Sequence, residues 1–227
     1  MIKKHYYLMV DTETCGDLEN PYVYDLGMQV IDRQGKVYAQ YSLVIFDVFV
    51  GMYDLMKTAY YSNKIPQYIT DINKGKRKIC YWVTAKRIIK ELFKKYDITA
   101  VIAHNARFDY NALNNTATYF NCGKKSYVFP YGTPIWCTLT MARQIFRDKP
   151  MYKRFCDENN YYTSTGKMKL TAEILYRFIT RNNNFIESHT GLEDVEIEKE
   201  IFLYMLRQHK KMQRTYYKPR EWLCHSF

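Results

Sequence analysis

Tyr6-Tyr7-Leu8-Met9-Val10-Asp11-Thr12-Glu13-Thr14 joins a short apolar block to a pair of carboxylates near the start of the chain. The block over residues 6–10 is typical of a buried β-strand. Side chains alternate along a strand, so Asp11 and Glu13 point to the same side. Two such acids beside a buried strand are unfavourable unless a cation lies between them, and Mg²⁺ or Mn²⁺ prefers oxygen ligands. Taken alone, however, the pair is more typical of two solvated acids at a strand end.

Size and composition limit the classes of protein to be considered. A chain of 227 residues fits one α/β domain with space for insertions. No stretch approaches the roughly 18 continuous apolar residues of a membrane span, so we expect no membrane partner. Asp11 follows the N-terminus too closely for a secretory signal peptide. The six cysteines are scattered without a Cys-x-x-Cys pair, which favours reduced thiols and a cytoplasmic protein.

The charge of the chain favours a polyanionic partner. It has 34 Lys and Arg residues against 23 Asp and Glu residues, a formal net charge of +11 and a pI near 9.2. Such a surface attracts nucleic acid, and the 23 tyrosines offer rings on which bases can stack. Basic proteins without such a partner are also common, so charge alone does not decide the class.

Hydrophobic patterning predicts an α/β sheet. Residues 22–31 and 37–45 are strand-like runs on either side of a turn at 32–36, which completes a three-stranded antiparallel meander. Residues 84–96 have helical spacing and lead into the apolar run 98–103. A helix between two strands is a crossover connection, so residues 98–103 are expected to run parallel to the first strand.

The remaining pattern predicts a fifth strand and several helices. The strand covers residues 133–138, and Gly191 is expected to end any helix that reaches it. The expected helices cover residues 48–61, 110–119, 139–146, 170–179 and a stretch from near Asp194 to about Gln213.

Two insertions are predicted in a single domain that covers residues 1–213. The first, residues 46–80, contains the basic run Lys74-Gly75-Lys76-Arg77-Lys78, which is either a solvated turn or a phosphate-contacting edge. The second, residues 148–169, is polar, aromatic and basic and is expected to be a long connection. Residues 214–227 are a basic and aromatic C-terminal tail whose structure the sequence does not indicate.

A third acid follows the parallel strand. The run His104-Asn105-Ala106-Arg107-Phe108-Asp109 comes directly after it, so Asp109 falls in the first turn of the next helix. If this strand is parallel to the first and beside it, Asp109 can face Asp11 and Glu13. Sites in open α/β sheets favour this end of the strands.

A fourth acid begins the last predicted helix. His189 lies five residues before Asp194. Five helical residues turn by about 140°, so the two side chains would lie on different faces of one helix. They can converge only if His189 lies on the loop before the helix.

The order and local context of these residues resemble the DEDDh family of 3′-to-5′ exonucleases, which includes the proofreading subunit of bacterial replicative polymerase, RNase T and oligoribonuclease. Residues 11–14 match the first motif, residues 104–109 the second, and His189-x-x-x-x-Asp194 the third, with the spacing of the histidine branch. Cys137 stands where the family often has an aspartate that is not a metal ligand. Three motifs in order are far more specific than any one alone.

The resemblance implies a fold and a set of roles. The fold is α/β, an RNase H-like mixed sheet in which an antiparallel meander is followed by parallel strands and flanked by helices. Two Mg²⁺ or Mn²⁺ ions would hold the scissile phosphate between four carboxylates, namely Asp11, Glu13, Asp109 and Asp194. His189, as neutral imidazole, would be the general base. Candidates for contacts to the terminal nucleotide are Thr12, Thr14 and Asn105.

The leading hypothesis is a metal-dependent exonuclease that releases nucleoside 5′-monophosphates from the 3′ end of single-stranded DNA or RNA. A second is a non-catalytic nucleic-acid-binding module on the same fold, and a third is an endonuclease. DNA and RNA are not separated, because proteins distinguish them by contacts to the 2′ oxygen. A homodimer or a polymerase partner also stays open.

Overall fold

The computed structural model describes residues 5–217 and contains a six-stranded mixed sheet in the order β4-β3-β2-β1-β5-β6. The strands are β1 Tyr6–Cys15, β2 Tyr22–Asp32, β3 Val37–Ile45, β4 Lys78–Cys80, β5 Ile98–Ala103 and β6 Ile135–Cys137. The first three form an antiparallel meander, whereas β4, β5 and β6 pair in parallel with their neighbours β3, β1 and β5. The predicted α/β class, with a meander followed by parallel strands, is therefore confirmed.

β1 is longer than its apolar block suggested. It continues through both carboxylates to Cys15, and Asp11 pairs with Gly27 of β2. The register with β2 shifts between Glu13 and Thr14, which marks a β-bulge. Asp11 and Glu13 therefore lie within the strand, not beyond its end, and the strand geometry fixes the direction of both side chains.

Nine α-helices within residues 5–217 flank the sheet. They are α1 Phe46–Phe49, α2 Tyr53–Met56, α3 Ile65–Asn73, α4 Trp82–Tyr96, α5 Arg107–Tyr119, α6 Thr138–Ile145, α7 Pro150–Asn159, α8 Ala172–Thr180 and α9 Gly191–Arg207. Residues of α1 to α5 join one hydrophobic cluster and residues of α6 to α9 join a second. The helices that match the predictions for residues 84–96, 110–119, 139–146 and 170–179 are α4, α5, α6 and α8.

Alternation along β1 assigns each cluster to a face of the sheet. Leu8 and Val10 belong to the cluster of α1 to α5, whereas Tyr7 and Met9 belong to the cluster of α6 to α9. Each of these side chains is almost fully buried, which stabilises the fold by about 1.5–3 kcal/mol per large apolar residue. Asp11 continues the Tyr7–Met9 row, so its carboxylate points toward the helices of the second cluster.

Residues 46–80, which were predicted to be an insertion, do not contain the expected helix. A single helix over residues 48–61 is wrong, because the segment breaks into the one-turn helices α1 and α2 and a 3₁₀ turn at Ser62–Lys64. At Gly51 the backbone folds so tightly that a Cβ would lie 2.4 Å from the carbonyl oxygen of Asp47. The helix α3 and the edge strand β4 were not predicted.

The basic run at residues 74–78 also requires correction. Lys74 and Lys76 are exposed in a turn, in agreement with the interpretation of the run as a solvated turn. Arg77 is buried, with a relative exposure of 3%, so a phosphate-contacting role is wrong for this residue. Lys78 begins β4.

Residues 148–169, which were predicted to be a long connection, contain helix α7. Pro150 occupies the first turn, where its missing N–H costs no intrahelical hydrogen bond. Tyr152 and Cys156, one turn apart, are buried against the second cluster. The helix ends at Asn159, and its C-cap Asn160 takes a left-handed conformation with φ of 51°.

Helix α9 begins earlier and ends earlier than predicted. Gly191 is its first residue and Thr190 its N-cap, so the expectation that Gly191 breaks the helix is wrong. The helix ends at Arg207, not near Gln213, and the chain then returns to the sheet edge. There the carbonyl of Arg214 accepts a hydrogen bond from Cys137 of β6. Residues 218–227 of the predicted tail lie outside the described part.

Two further observations concern the class of protein. Among residues 5–217, none of the helices combines the length and apolar character that crossing a membrane requires. The five cysteines in the same range are free thiols. Cys224 and the first four residues lie outside the described part.

Candidate active site

Three of the predicted acids meet where α9 begins over β1. Carboxylate oxygens of Asp11, Glu13 and Asp194 all lie within 4.8 Å of one another. Asp11 and Glu13 come from one face of β1, and Asp194 comes from the first turn of α9. Residues separated by more than 180 positions in the sequence are thus brought into one group.

A close backbone contact sets the position of α9. A Cβ on Gly27 would lie 2.1 Å from the carbonyl carbon of Gly191, so only glycine allows this approach. The N–H of Gly191 donates a hydrogen bond of 2.9 Å to Asp25 Oδ2. Because Gly27 pairs with Asp11 in the sheet, the contact holds the first turn of α9 directly beside the carboxylates of β1.

Asp109 lies next to this group but is not one of the three clustered acids. It is buried in the first turn of α5, and its Oδ1 accepts hydrogen bonds from the N–H of Thr12 at 3.1 Å and from Thr12 Oγ1 at 2.9 Å. Its negative charge contributes to raising the pKa of Asp11 and of Glu13, so it is close to both. The Thr12 hydroxyl, predicted to contact substrate, here orients Asp109.

The carboxylates strongly disfavour each other's ionised form. Burial, followed by the charge of Asp194, raises the pKa of Glu13 to about 8. Burial, followed by the charge of Glu187, raises the pKa of Asp194 to about 8. Burial raises the pKa of Asp109 to about 7, although the Thr12 hydrogen bonds oppose the shift. The pKa of Asp11 is raised well above its usual range by burial and the surrounding acids.

A fifth carboxylate, Glu198, was missed by the sequence analysis. It lies one turn after Asp194 on α9, is 3% exposed, and accepts a hydrogen bond of 3.0 Å from the N–H of His104. Burial and the charge of Asp109 raise its pKa well above the usual range. The four-residue spacing from Asp194 places both acids on one face of a helix, which is the pattern that could have identified it.

His189 lies on the loop before α9, as predicted. Its backbone has a left-handed φ of 47°, and a ring nitrogen lies within 4.8 Å of carboxylate oxygens of Glu187 and Asp194. Burial, together with the ammonium group of Lys64, lowers its pKa and so favours the neutral imidazole. A neutral imidazole is the form that can accept a proton.

Tyr61 and Lys64, in the first predicted insertion, contact the loop of His189 directly. The ring of Tyr61 stacks on the imidazole of His189, with centroids 4.6 Å apart and planes inclined by 14°. Lys64 donates hydrogen bonds to the carbonyls of Ser188 and His189. The charge of Lys64 opposes the rise in the pKa of Glu13, so Lys64 is a cationic neighbour of the acids.

A buried arginine supports the start of α9 from the other side. The guanidinium of Arg77 forms ion pairs with Asp25 at 3.4 Å, Asp71 at 3.3 Å and Glu193 at 2.9 Å. Asp25 also accepts a hydrogen bond of 2.7 Å from the hydroxyl of Tyr68. The network links β2, α3 and α9, so the segment around α3 is part of the support of the site.

The other predicted contact residues lie at the rim. Asn105 is exposed with a left-handed φ of 58°, and Thr14 is half-buried just after the bulge. His104 has a structural role, because its ring nitrogens bond to Thr138 Oγ1 at 2.8 Å and to the carbonyl of Leu170 at 2.9 Å. Burial lowers the pKa of His104 to about 4, which keeps it neutral.

The donor set fits a hard divalent cation. Six carboxylates converge when Glu187 is included, all with raised pKa values, and the ammonium of Lys64 opposes these shifts in Glu13, Glu187 and Asp194. Burial of several acids together is unfavourable without a compensating cation. Mg²⁺ and Mn²⁺ take such oxygen ligands.

Comparison with solved structures supports the same architecture. A full-length 3′-exonuclease is similar with a TM-score of 0.59 and 9% identity, over 93% of this chain and 85% of the other. A zinc-bound E. coli exonuclease I in complex with single-stranded DNA has a TM-score of 0.57 and 16% identity, over 92% of this chain and 42% of the other. The same enzyme with a dT13 oligonucleotide has a TM-score of 0.55 and 17% identity, over 92% and 42% of the two chains.

These likenesses show that the chain shares the α/β fold of these three structures. This chain spans about two fifths of the length of the exonuclease I chains. No protein-family model matches the sequence, and no curated protein matches it by sequence similarity.

Proposed function

We propose that this RNase H-like chain is a metal-dependent 3′-to-5′ exonuclease of the DEDDh type that acts on single-stranded nucleic acid. The observation that carries the proposal is the convergence of Asp11, Glu13 and Asp194, with a ring nitrogen of His189 beside Asp194. The similarity of the fold to a 3′-exonuclease and to exonuclease I supports it.

The roles follow from the positions of the side chains. Asp11, Glu13 and Asp194 would hold a divalent cation, and Asp109, oriented by Thr12, would contribute to a second. Bound divalent ions neutralise the charge of a phosphodiester and lower the pKa of an attacking water. The proton of that water would pass to the unprotonated nitrogen of His189 as the new P–O bond forms and the bond to the 3′ oxygen breaks.

The substrate class is proposed from charge and access. The formal net charge of +11 favours a polyanion, and the 3′ end must be separated from a partner strand to enter the site. The exonuclease I structures named above contain single-stranded DNA or an oligonucleotide. We propose single-stranded DNA or RNA as substrate and nucleoside 5′-monophosphates as products.

The direct test is a time course on 5′- and 3′-labelled DNA and RNA oligonucleotides with Mg²⁺, Mn²⁺ or EDTA. We expect stepwise shortening from the 3′ end with either metal and none with EDTA. Asp11→Asn and Asp194→Asn should abolish hydrolysis while the circular dichroism spectrum stays that of the wild type. Asp148→Asn, which changes an exposed acid outside the site, is the matched control and should retain full activity.

The same assay distinguishes the alternatives. A binding module would bind oligonucleotides but would not shorten them with Mg²⁺, with Mn²⁺ or with EDTA. An endonuclease would cut circular single-stranded DNA, which has no 3′ end, whereas the proposed enzyme should leave it intact. Unchanged turnover in Asp11→Asn or Asp194→Asn would refute the assignment of the metal site.

A further inference from the structure

We propose that Tyr61, on the first insertion, is a positioning residue that holds the His189 imidazole at the acidic centre. The proposal rests on the proposed function, because it concerns how the general base of that reaction is kept in place. Its evidence is a ring stack between residues that are 128 positions apart in the sequence and belong to different structural segments.

The stack has the geometry of a specific contact. The two rings are nearly parallel, inclined by 14°, and their centroids are 4.6 Å apart. Offset parallel stacking of aromatic rings contributes about 0.5–1.5 kcal/mol beyond the burial of their area. Tyr61 itself is half-buried, and within residues 5–217 its hydroxyl has no hydrogen-bond partner, so the ring carries the contact.

Lys64 reinforces the same contact. Its ammonium lies 4.9 Å from the centroid of the Tyr61 ring and donates hydrogen bonds to the carbonyls of Ser188 and His189. Residues 61–64 therefore hold the His189 loop in two ways, through its backbone carbonyls and through the ring of His189. A cation over the ring face adds a favourable interaction with the ring quadrupole.

The loop needs such support because of its backbone. His189 has a left-handed φ of 47°, a conformation that is costly for residues with a Cβ. Such a residue remains in place only when its surroundings hold it. The stack and the two Lys64 hydrogen bonds are contacts of this kind.

The position in which the stack holds the His189 imidazole is also the position that the proposed reaction requires. With the ring stacked on Tyr61, a nitrogen of His189 already lies within 4.8 Å of an oxygen of Asp194. The imidazole is thus placed beside the acids without a further movement. Misplacement of a catalytic group by about 1 Å can cost about 100-fold in rate, so a contact that fixes the ring has a measurable consequence.

The test compares three variants of the full chain. Tyr61→Phe keeps the ring and removes a hydroxyl without a described partner, and Tyr61→Leu removes the ring. Tyr131→Leu is the matched control, because Tyr131 is 83% exposed and makes no ring contact within residues 5–217. Steady-state kcat and KM are measured on a single-stranded oligonucleotide, and the ring protons of His189 are followed by NMR.

We expect Tyr61→Leu to lower kcat by about 10- to 100-fold with little change in KM. Tyr61→Phe and Tyr131→Leu should stay within about twofold of the wild type, the usual scale for changes away from the reacting groups. The His189 ring protons should lose an upfield ring-current shift in Tyr61→Leu only. In a His189→Ala background, Tyr61→Leu should have no further effect on kcat.

The outcomes separate the two proposals. A wild type that hydrolyses oligonucleotides while Tyr61→Leu is equally fast or faster overturns the positioning role and leaves the nuclease intact. Equal losses in Tyr61→Phe and Tyr61→Leu overturn it as well, because the ring would not be the active feature. A wild type without hydrolysis overturns both proposals.

Discussion

Gly27 of β2 and Gly191 of α9 touch backbone to backbone, and a Cβ added at Gly27 would lie 2.2 Å from the carbonyl oxygen of Gly191. A side chain at Gly27 would push away the helix that carries Asp194. We expect Gly27→Ala to lower the stability by about 1–3 kcal/mol or more, as overpacking does, and to abolish hydrolysis. Urea unfolding and the oligonucleotide assay measure the two effects.

The control for this prediction is a glycine without close neighbours. Gly75 has a φ of +71° and nothing within 4 Å of the Cβ position. Asn tolerates this conformation better than other residues, so Gly75→Asn should cost less than about 1 kcal/mol. An active, stable Gly27→Ala variant would show that the helix start can shift without disturbing the acids.

His189→Ala removes the proposed proton acceptor but none of the four proposed metal-binding carboxylates. We expect kcat to fall by about 10²–10⁴-fold, the usual contribution of general base catalysis. Binding of Mn²⁺, measured by isothermal titration calorimetry, should persist. A loss of only a few-fold in kcat would remove the base assignment, and a loss of Mn²⁺ binding would instead indicate that the imidazole is a metal ligand.

The metal-free protein should become less stable as the pH rises. The pKa is raised to about 8 for Glu13 and Asp194 and to about 7 for Asp109, from ordinary values of 4.5 and 3.8. The folded chain therefore binds more protons than the unfolded chain between about pH 4 and about pH 8, and ionisation in this window favours unfolding.

The effect should be several degrees in Tm for each unit of pKa shift. One unit of pKa shift corresponds to about 1.4 kcal/mol, and each kcal/mol moves Tm by about 2–4 °C for a chain of this length. Differential scanning calorimetry in EDTA should show Tm falling across the window, and Mg²⁺ should reverse the fall. Asp194→Asn should flatten the profile, whereas a flat profile in the wild type would contradict the burial of the acids.

Arg77 should be far more important for stability than its neighbours in the basic run. Arg77→Met leaves Asp25 and Asp71 without their buried partner, and we expect a loss of about 3–5 kcal/mol. Lys76 is 68% exposed on its side chain and lies 3.8 Å from Asp71, so Lys76→Met should cost less than about 1 kcal/mol. Similar urea midpoints for the two variants would show that the network contributes little.

The sheet was predictable because most of its strands are short apolar runs bounded by turns. Tyr6 to Val10, the two strands of the meander and Ile98 to Ala103 all have the pattern expected of half-buried or buried strands, and all are strands in the structure. The position of Asp109 followed from the crossover rule, and it lies in the first turn of α5.

The contacts that Arg77 and Tyr61 make around the site were not predictable from the same patterns. Arg77 lies in a run of lysines that indicates a surface, and its burial depends on Asp25 and Glu193, which are distant in the sequence. The stack of Tyr61 on His189 likewise depends on how a segment of short helices folds back over the sheet. Spacing within one element carries no information about such contacts.

The Gly27–Gly191 contact determines when, during synthesis and folding, the chain can begin to hydrolyse its substrate. The acids of β1 and Asp194 of α9 can come together only after nearly two hundred residues have been synthesised. Contacts between residues so distant in the sequence form slowly during folding. A partly synthesised chain should therefore not hydrolyse nucleic acid, and the onset of hydrolysis would report the docking of α9.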